Sequence, residues 1–291
     1  MTATGTALTL ASINIERSRH LARVEDFLRA RSPDVVCLQE VIEEDLPLLC
    51  GGPGYAHRFY VPMCRFPEKE SLRLSGIAIL SRRPFAHVED IQYAGGGNGT
   101  EVLDRTSEEA RVATNRYALA IAGIEHCGGL LTIATTHFPW TDHARTSDFQ
   151  RSACDALLRL AGNRSLLLTG DFNAPRGKEI FDRLATRWTD HIPPEYTSSL
   201  DPQLHRAPHL ELMVDGLFST DDWDVRDVAL HKGVSDHRAV TAVIVKRQAE
   251  YRQGNLTDRI ADGLHRRQHG GAERAAGPRP VVDDDRLSKV L

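Results

Sequence analysis

The sequence has no run approaching the ~20 consecutive apolar residues that a membrane-crossing helix requires. Its N-terminal segment carries neither the basic flank nor the apolar core of a secretory signal. Both absences argue against a membrane span and lead to the expectation of a cytoplasmic protein. Cysteine is sparse: Cys37, Cys50, Cys64, Cys127 and Cys154 are widely scattered and form no C-x-x-C pair. Neither a disulfide framework nor a structural zinc site is indicated, and buried thiols are expected. A basic excess is missing too, the formal net charge being −4. Tight nonspecific binding of duplex DNA through phosphates normally needs the opposite balance. A nuclease is still compatible with this charge, because a metal cluster can draw a phosphodiester into an acidic protein. No internal repeat is visible.

What the sequence does have is an alternation of β-rich runs and amphipathic helices. Residues 8–15 read as a strand, and residues 20–31 as a helix with Leu21, Val24, Phe27 and Leu28 at helical spacing, stopped by Ser32-Pro33. Residues 34–40 form a short apolar run with a carboxylate at its end. Further strands are expected at 75–80, 117–124, 130–136, 166–169, 225–230 and 239–245, and a long helix at 144–160. Many strands with few helices suggest sheets covered by helices, an α/β or α+β layered domain spanning residues 1–246. The Gly-rich stretch 94–100 and the charged segment to 115 read as a loop, too long for a routine connection, either facing substrate or disordered. It lacks the Gly-Lys-[Ser/Thr] ending of a P-loop. Residues 247–291 are polar and read as a disordered tail, with a short helix considered at 256–267.

Polar residues gather at the ends of the apolar runs: Asn14, Glu40, His137 and Asp171. Strand ends converge at one rim in layered sheet proteins, so such residues can share a site. Taken singly, each has a plainer reading. Asn14 suits a turn, Glu40 the N-terminal turn of a helix beginning at Ile42, and His137 a structural histidine. Gly170-Asp171-Phe172-Asn173 is more specific, since an acid and an amide two residues apart on an extended chain project to one side. There a carboxylate can take a proton from water while an amide donates to a phosphoryl oxygen, although a plain turn is the alternative. Asp215 lies inside an apolar strand, where an unpaired carboxylate is costly to bury, so it needs a partner. His237 of Ser235-Asp236-His237 offers one, and Asp236 suits a hard cation. The histidines at 20, 57, 126, 143, 191, 205, 209 and 231 show no metal-ligand spacing and read as structural or surface residues.

In order, Asn14, Gln39-Glu40, Thr136-His137, Gly170-Asp171-Phe172-Asn173, Asp215 and Ser235-Asp236-His237 resemble the motif series of the endonuclease/exonuclease/phosphatase superfamily, the fold of DNase I and exonuclease III. Gly76-Ile-Ala-Ile-Leu-Ser81 also resembles that family's central strand. The resemblance covers roughly residues 8–246. It implies a four-layer sandwich, two β-sheets face to face with helices outside and the site at one rim. It further implies that Glu40 is the principal Mg²⁺ or Mn²⁺ ligand, with Asn14 and Asp236 near the metal. By the same resemblance Asp171 positions and deprotonates water, Asn173 holds the phosphate, and His237 with Asp215 stabilises the transition state. His137 resembles the second histidine of the DNase I-like branch, and the Thr-His-Phe sequence departs from the tyrosine motif of abasic-site endonucleases.

The expectation is therefore a monomeric, metal-dependent hydrolase of a phosphomonoester or phosphodiester. Alternatives are a DNA or RNA nuclease or end-processing repair enzyme, for which a loop at 58–65 and the turn Phe138-Pro139-Trp140 offer aromatic contacts, hydrophobic packing being the competing reading and the favoured one for 58–65. A third reading is an inactive binding module on the same scaffold. Arg116 is considered as a phosphate contact or a surface residue.

Overall fold

Period-two alternation fixes how the first strand sits. In β1 (Leu8–Asn14), Leu8 and Leu10 join one apolar cluster, whereas Ala11 and Ile13, with Ile15 beyond the strand, join another. A strand buried on both faces belongs between two layers. The structure, a computed structural model, describes residues 7–68, 71–126 and 129–247. After β1 come α1 (Leu21–Arg31), β2 (Val35–Ile42), α2 (Leu46–Gly51), β3 (His57–Glu68), β4 (Ser71–Ser81) and β5 (Phe85–Ala94). Then follow α3 (Glu108–Thr114), β6 (Tyr117–His126), β7 (Gly129–His137), α4 (Asp148–Ala161), β8 (Leu167–Asp171) and α5 (Glu179–Arg187). The order closes with β9 (Thr189–Asp190), β10 (Asp215–Ser219), β11 (Trp223–His231) and β12 (Ala239–Lys246).

Two mixed sheets of six strands result, one ordered β11-β12-β1-β2-β4-β3 and the other β5-β6-β7-β8-β10-β9. They pack face to face, with β1 against β8, β2 against β7 and β3 against β6. Leu10, Val35, Cys37 and Ile79 of the first sheet meet Leu119, Ile121, Ile133 and Leu168 of the second in one core. On the outer face of the first sheet, Val24 and Leu28 of α1 cover Ile13, Val36 and Leu38. On the second, α4 buries Ala153, Cys154, Leu157 and Ala161, and α5 buries Ile180, Phe181 and Leu184. Each such Leu, Ile or Phe contributes about 1.5–3 kcal/mol of burial free energy. The four-layer sandwich expected from the sequence is thus the observed fold.

Within each sheet one parallel pair is central, β1 with β2 and β7 with β8. Parallel neighbours end at the same edge, so Asn14 lies beside Gln39 and His137 beside Asp171. The antiparallel partners then begin where these end: β10 pairs Asp215 with Asp171, and β12 starts just after His237.

Several expectations need correction. No helix begins at Ile42; β2 runs to that residue and a single 3₁₀ turn, Glu43–Asp45, precedes α2. The supposed loop 58–65 is strand β3, where Phe59 packs on the core and the Tyr60 hydroxyl donates to Leu74 O at 3.1 Å. The long helix starts at Asp148 instead of 144, because Ser147 caps it by accepting from Gln150 N, while His143 and Ala144 have φ of 56° and 52°. The segment 94–115 contains α3 and is laid against β3, where Arg65 donates its N–H to Glu101 O at 2.7 Å and its O accepts from Leu103 N at 2.9 Å. Cys37, Cys50, Cys64 and Cys154 are buried free thiols; Cys127 lies outside the described residues. Of the expected tail only Arg247 is described, and the helix considered at 256–267 lies outside the described residues. Among the described residues no helix is long and apolar enough to cross a membrane.

Candidate active site

Glu40 reaches the rim by an irregularity in β2. Up to Leu38 the strand alternates, with Val36 and Leu38 facing the helices and Cys37 facing the other sheet. Val41 faces the helices again, so one residue has been inserted, and the register with β4 shifts between Leu38 and Val41. That is a β-bulge, and Glu40 carries its left-handed φ of 56°. Beneath it Gln39 stays between the sheets, donating to Thr135 Oγ1 at 2.9 Å and Ser12 Oγ at 3.3 Å. On β8 the counterpart is Gly170, with φ of 151°; a Cβ there would lie 2.0 Å from Thr136 O, so only glycine allows β8 to run this close to β7 before Asp171.

All eight candidate residues meet at this rim. Asn14 Nδ2 donates to Asp171 Oδ2 at 3.0 Å and to Glu40 Oε1 at 3.4 Å. His137 Nε2 lies 3.5 Å from Asp171 Oδ2 and 4.0 Å from Glu40 Oε1. His237 reaches the same carboxylate, with Nε2 3.8 Å from Asp171 Oδ2, and its Nδ1 lies 2.7 Å from Asp215 Oδ2. Asn173, at φ 48°, donates its backbone N–H to Asp171 Oδ1 at 2.8 Å and one side-chain N–H to Phe138 O at 3.0 Å. An amide has two such hydrogens, and Asn173 lines the cavity into which the second is available. Asp236 accepts from Ser235 Oγ and sits against Glu16.

The electrostatics differ from residue to residue. Burial pushes the Asp171 carboxyl above the usual carboxylate range and nearby Asp215 adds to this, against the opposing pull of His237, His137 and the Asn173 N–H. Glu40 goes the other way: burial is outweighed by Arg17, His137, His237 and the Asn14 amide, leaving it below its ordinary value. Burial also works against the His237 imidazolium, but Asp215 and Asp171 hold it well above the ordinary histidine value. Burial pushes the cavity-lining Cys64 thiol up to about 12, so it is no nucleophile at neutral pH.

Some participants were not singled out in the sequence. Arg17, at φ 61°, is ion-paired with Glu40 and lies over the Phe66 ring, its guanidinium carbon 4.2 Å from the centroid. Glu16, and His20, which was read as a structural or surface histidine, are joined at 3.0 Å and form with Asp236 a convergent set of possible metal ligands. His143, His205 and His209 line the cavity instead of serving as remote surface groups, and the His205 ring lies 6.5 Å from that of His237. Arg116 pairs with Asp90 at 2.5 Å and does not line the cavity.

A short segment around Ser199 ties the dyad together. Ser199 Oγ accepts the N–H groups of Val214 and Asp215, both at 3.1 Å, while Ser199 O accepts from Arg238 N at 2.7 Å. Asp201, wholly buried, accepts from Gly233 N at 2.6 Å and gives its own N–H to Asp236 O at 2.8 Å. Nothing periodic marks this polar run, which explains why only the fold discloses it. Ser199→Ala removes the acceptor shared by two buried N–H groups and is expected to destabilise the protein by about 1–3 kcal/mol. Urea unfolding followed by circular dichroism measures that loss.

The sequence pattern of the Endonuclease/Exonuclease/phosphatase family matches residues 11–237. The chain belongs to this family. Among solved structures, a family member from Beutenbergia cavernae DSM 12333 is 17% identical with a TM-score of 0.64, over 84% of this chain and 72% of that one. The human Nocturnin catalytic domain, solved with a bound sulfate anion, is 17% identical with a TM-score of 0.62, over 83% and 94% of the respective chains. A mannosyl-6-phosphatase from Bacteroides thetaiotaomicron is 16% identical with a TM-score of 0.55, over 82% and 99%. At such identities the likeness is one of fold. None of the curated proteins compared with the chain matches it. Endonuclease/exonuclease/phosphatase proteins act on phosphoester bonds, and that much of the chemistry comes with membership.

Proposed function

We propose that the protein is a divalent-metal-dependent phosphoesterase that hydrolyses a phosphomonoester or phosphodiester by attack of water. The observation that carries this reading is the position of Asp171, whose Oδ2 is approached by Asn14 Nδ2, His137 Nε2 and His237 Nε2, with Glu40 joined to the group through Asn14 and His137. Its raised pKa suits a base that takes a proton from the attacking water. His237, held by Asp215 through Nδ1, presents Nε2 to the charge that builds on the phosphoryl oxygens. Asn173 adds a neutral donor, and His137 is placed to donate to an oxyanion or to the departing alkoxide, whose ester bond to phosphorus breaks as the water oxygen bonds.

The donor set fits a hard divalent cation. Glu16 is raised by burial and by the facing Asp236, a sign of carboxylate charge that is not fully compensated, and the available ligand atoms are mainly oxygens. Glu40 would hold Mg²⁺ or Mn²⁺, with Asp236 beside it and Asn14 orienting the carboxylate through its amide N–H. When bound, the cation supplies Lewis-acid polarisation and neutralises charge on the phosphate.

The test is release of product from a generic phosphodiester and a generic phosphomonoester with and without Mg²⁺ or Mn²⁺. Activity is expected with metal and lost with chelator, and Glu40→Ala is expected to lower kcat/KM about 10²-fold while raising the metal concentration needed. Metal-independent turnover, or no turnover together with no metal binding, would overturn the reading.

A further inference from the structure

The rim opens into a cavity of about 990 Å³, a size that suits a small molecule. Five acidic residues line it, Glu16, Glu40, Asp171 and Asp236 with the candidate catalytic groups, and Glu179, which is paired with Arg151. Five cations beyond Arg17 also line it: Arg105, Arg111, Arg145, Lys178 and Arg206. None of these five makes a salt bridge among the described residues. By contrast Arg151, Arg164 and Arg183, on the outer helical side, are paired with Glu179, Glu89 and Asp155.

The five cations come from separate segments. Arg105 and Arg111 lie on the long connection between β5 and β6, Arg145 between β7 and α4, Lys178 at the cap of α5, and Arg206 between β9 and β10. Arg111 is held in place, donating to Trp140 O at 3.2 Å with its guanidinium carbon 4.9 Å from the Trp140 ring centroid. Trp140 itself remains 36% exposed and lines the same cavity. Like charges gathered in one concave space repel one another and raise the local positive potential, an arrangement that favours an anion. The ester to be cut already has His137, His237 and Asn173 as partners, so it does not account for five more cations on the walls.

We propose that the substrate is a compact phosphoester bearing a second phosphate remote from the bond that is cut, and that Arg105, Arg111 and Arg145 form the subsite for it. This rests on the phosphoesterase reading and names its substrate class. Guanidinium groups suit the role because their planar fork engages phosphate oxygens in pairs. The long segment 94–115, otherwise without a task, becomes the wall that recognises the second anion.

Two substrate pairs test it: fructose 6-phosphate against fructose 1,6-bisphosphate, and adenosine 5′-monophosphate against adenosine 3′,5′-bisphosphate. The protein is expected to favour the bisphosphate of at least one pair by about tenfold or more in kcat/KM, chiefly through KM. The double variant Arg111→Gln/Arg145→Gln is expected to erase that preference, whereas Arg159→Gln/Arg187→Gln, an equal charge loss at exposed positions of α4 and α5, keeps it. Equal kcat/KM for both members of each pair, or a preference that survives the double variant, overturns the proposal. Faster cleavage of single-stranded oligonucleotides than of either bisphosphate, with the same arginine dependence, also overturns it and gives the cations to a nucleic-acid backbone. Calorimetric titration with the same compounds reads the subsite without turnover. Tighter bisphosphate binding that the double variant loses supports the subsite even if no ester is cleaved, in which case the hydrolase reading alone fails. Equal binding of mono- and bisphosphates overturns the subsite.

Discussion

Asp171→Asn is expected to lower kcat by about 10²- to 10⁴-fold on whichever phosphoester the protein accepts, with little change in unfolding temperature. The amide has nearly the shape of the carboxylate and keeps an oxygen for the Asn173 N–H. It cannot take a proton from water, and it turns a donor toward Asn14 Nδ2 or toward His137 and His237, where an acceptor now sits. Steady-state kinetics with a thermal melt in parallel separates the two effects. A variant retaining activity within about tenfold of the parent would show that Asp171 is not the base, since base catalysis contributes more than that.

The second large effect belongs to the pair Asp215 and His237. His237→Gln is expected to lower kcat/KM about 10²- to 10³-fold, the usual loss when one donor to a developing oxyanion is removed. Glutamine is preferable to alanine here because it leaves Asp215, which is buried, with a hydrogen-bonding neighbour. Asp215→Asn is expected to act almost as strongly, although its carboxylate contacts His237 and not the cavity. If Asp215 works only through His237, the double variant is no worse than His237→Gln alone. Kinetics of the four proteins give the coupling directly, and losses that simply add would mean the aspartate acts on its own.

The strands that bear the site were legible because they are central. β1, β2, β7 and β8 are apolar on both faces, so their ends stood out as places where polarity returns: Asn14, Glu40, His137, Asp171. Two edge strands were not, although the edge strand β11 was expected at 225–230. β3 contains Pro62 and Pro67 and alternates weakly, and β5 is mostly exposed; both lie at sheet margins, where a strand need be neither apolar nor free of proline. Asp215 and His237 were expected as partners and are 2.7 Å apart. The bulge at Glu40 was invisible because it depends on register with β4, a long-range property. Arg17, Ser199 and Asp201 were missed for a related reason, since their partners lie in distant segments or on that bulge. The cations of the walls were legible as residues but not as a group, because loops converge only once the strands beneath them are paired.

The site is divided evenly between the layers. Asn14, Glu40, Asp236 and His237 come from the first sheet or its connections, and His137, Asp171, Asn173 and Asp215 from the second. Hydrogen bonds across the gap, such as Asn14 to Asp171 and His237 to Asp215, join the halves above the shared apolar core. Turnover is therefore a gauge of how firmly the two sheets are clasped. A partly folded chain with both sheets formed but not yet locked together would possess every residue named above and still be catalytically silent.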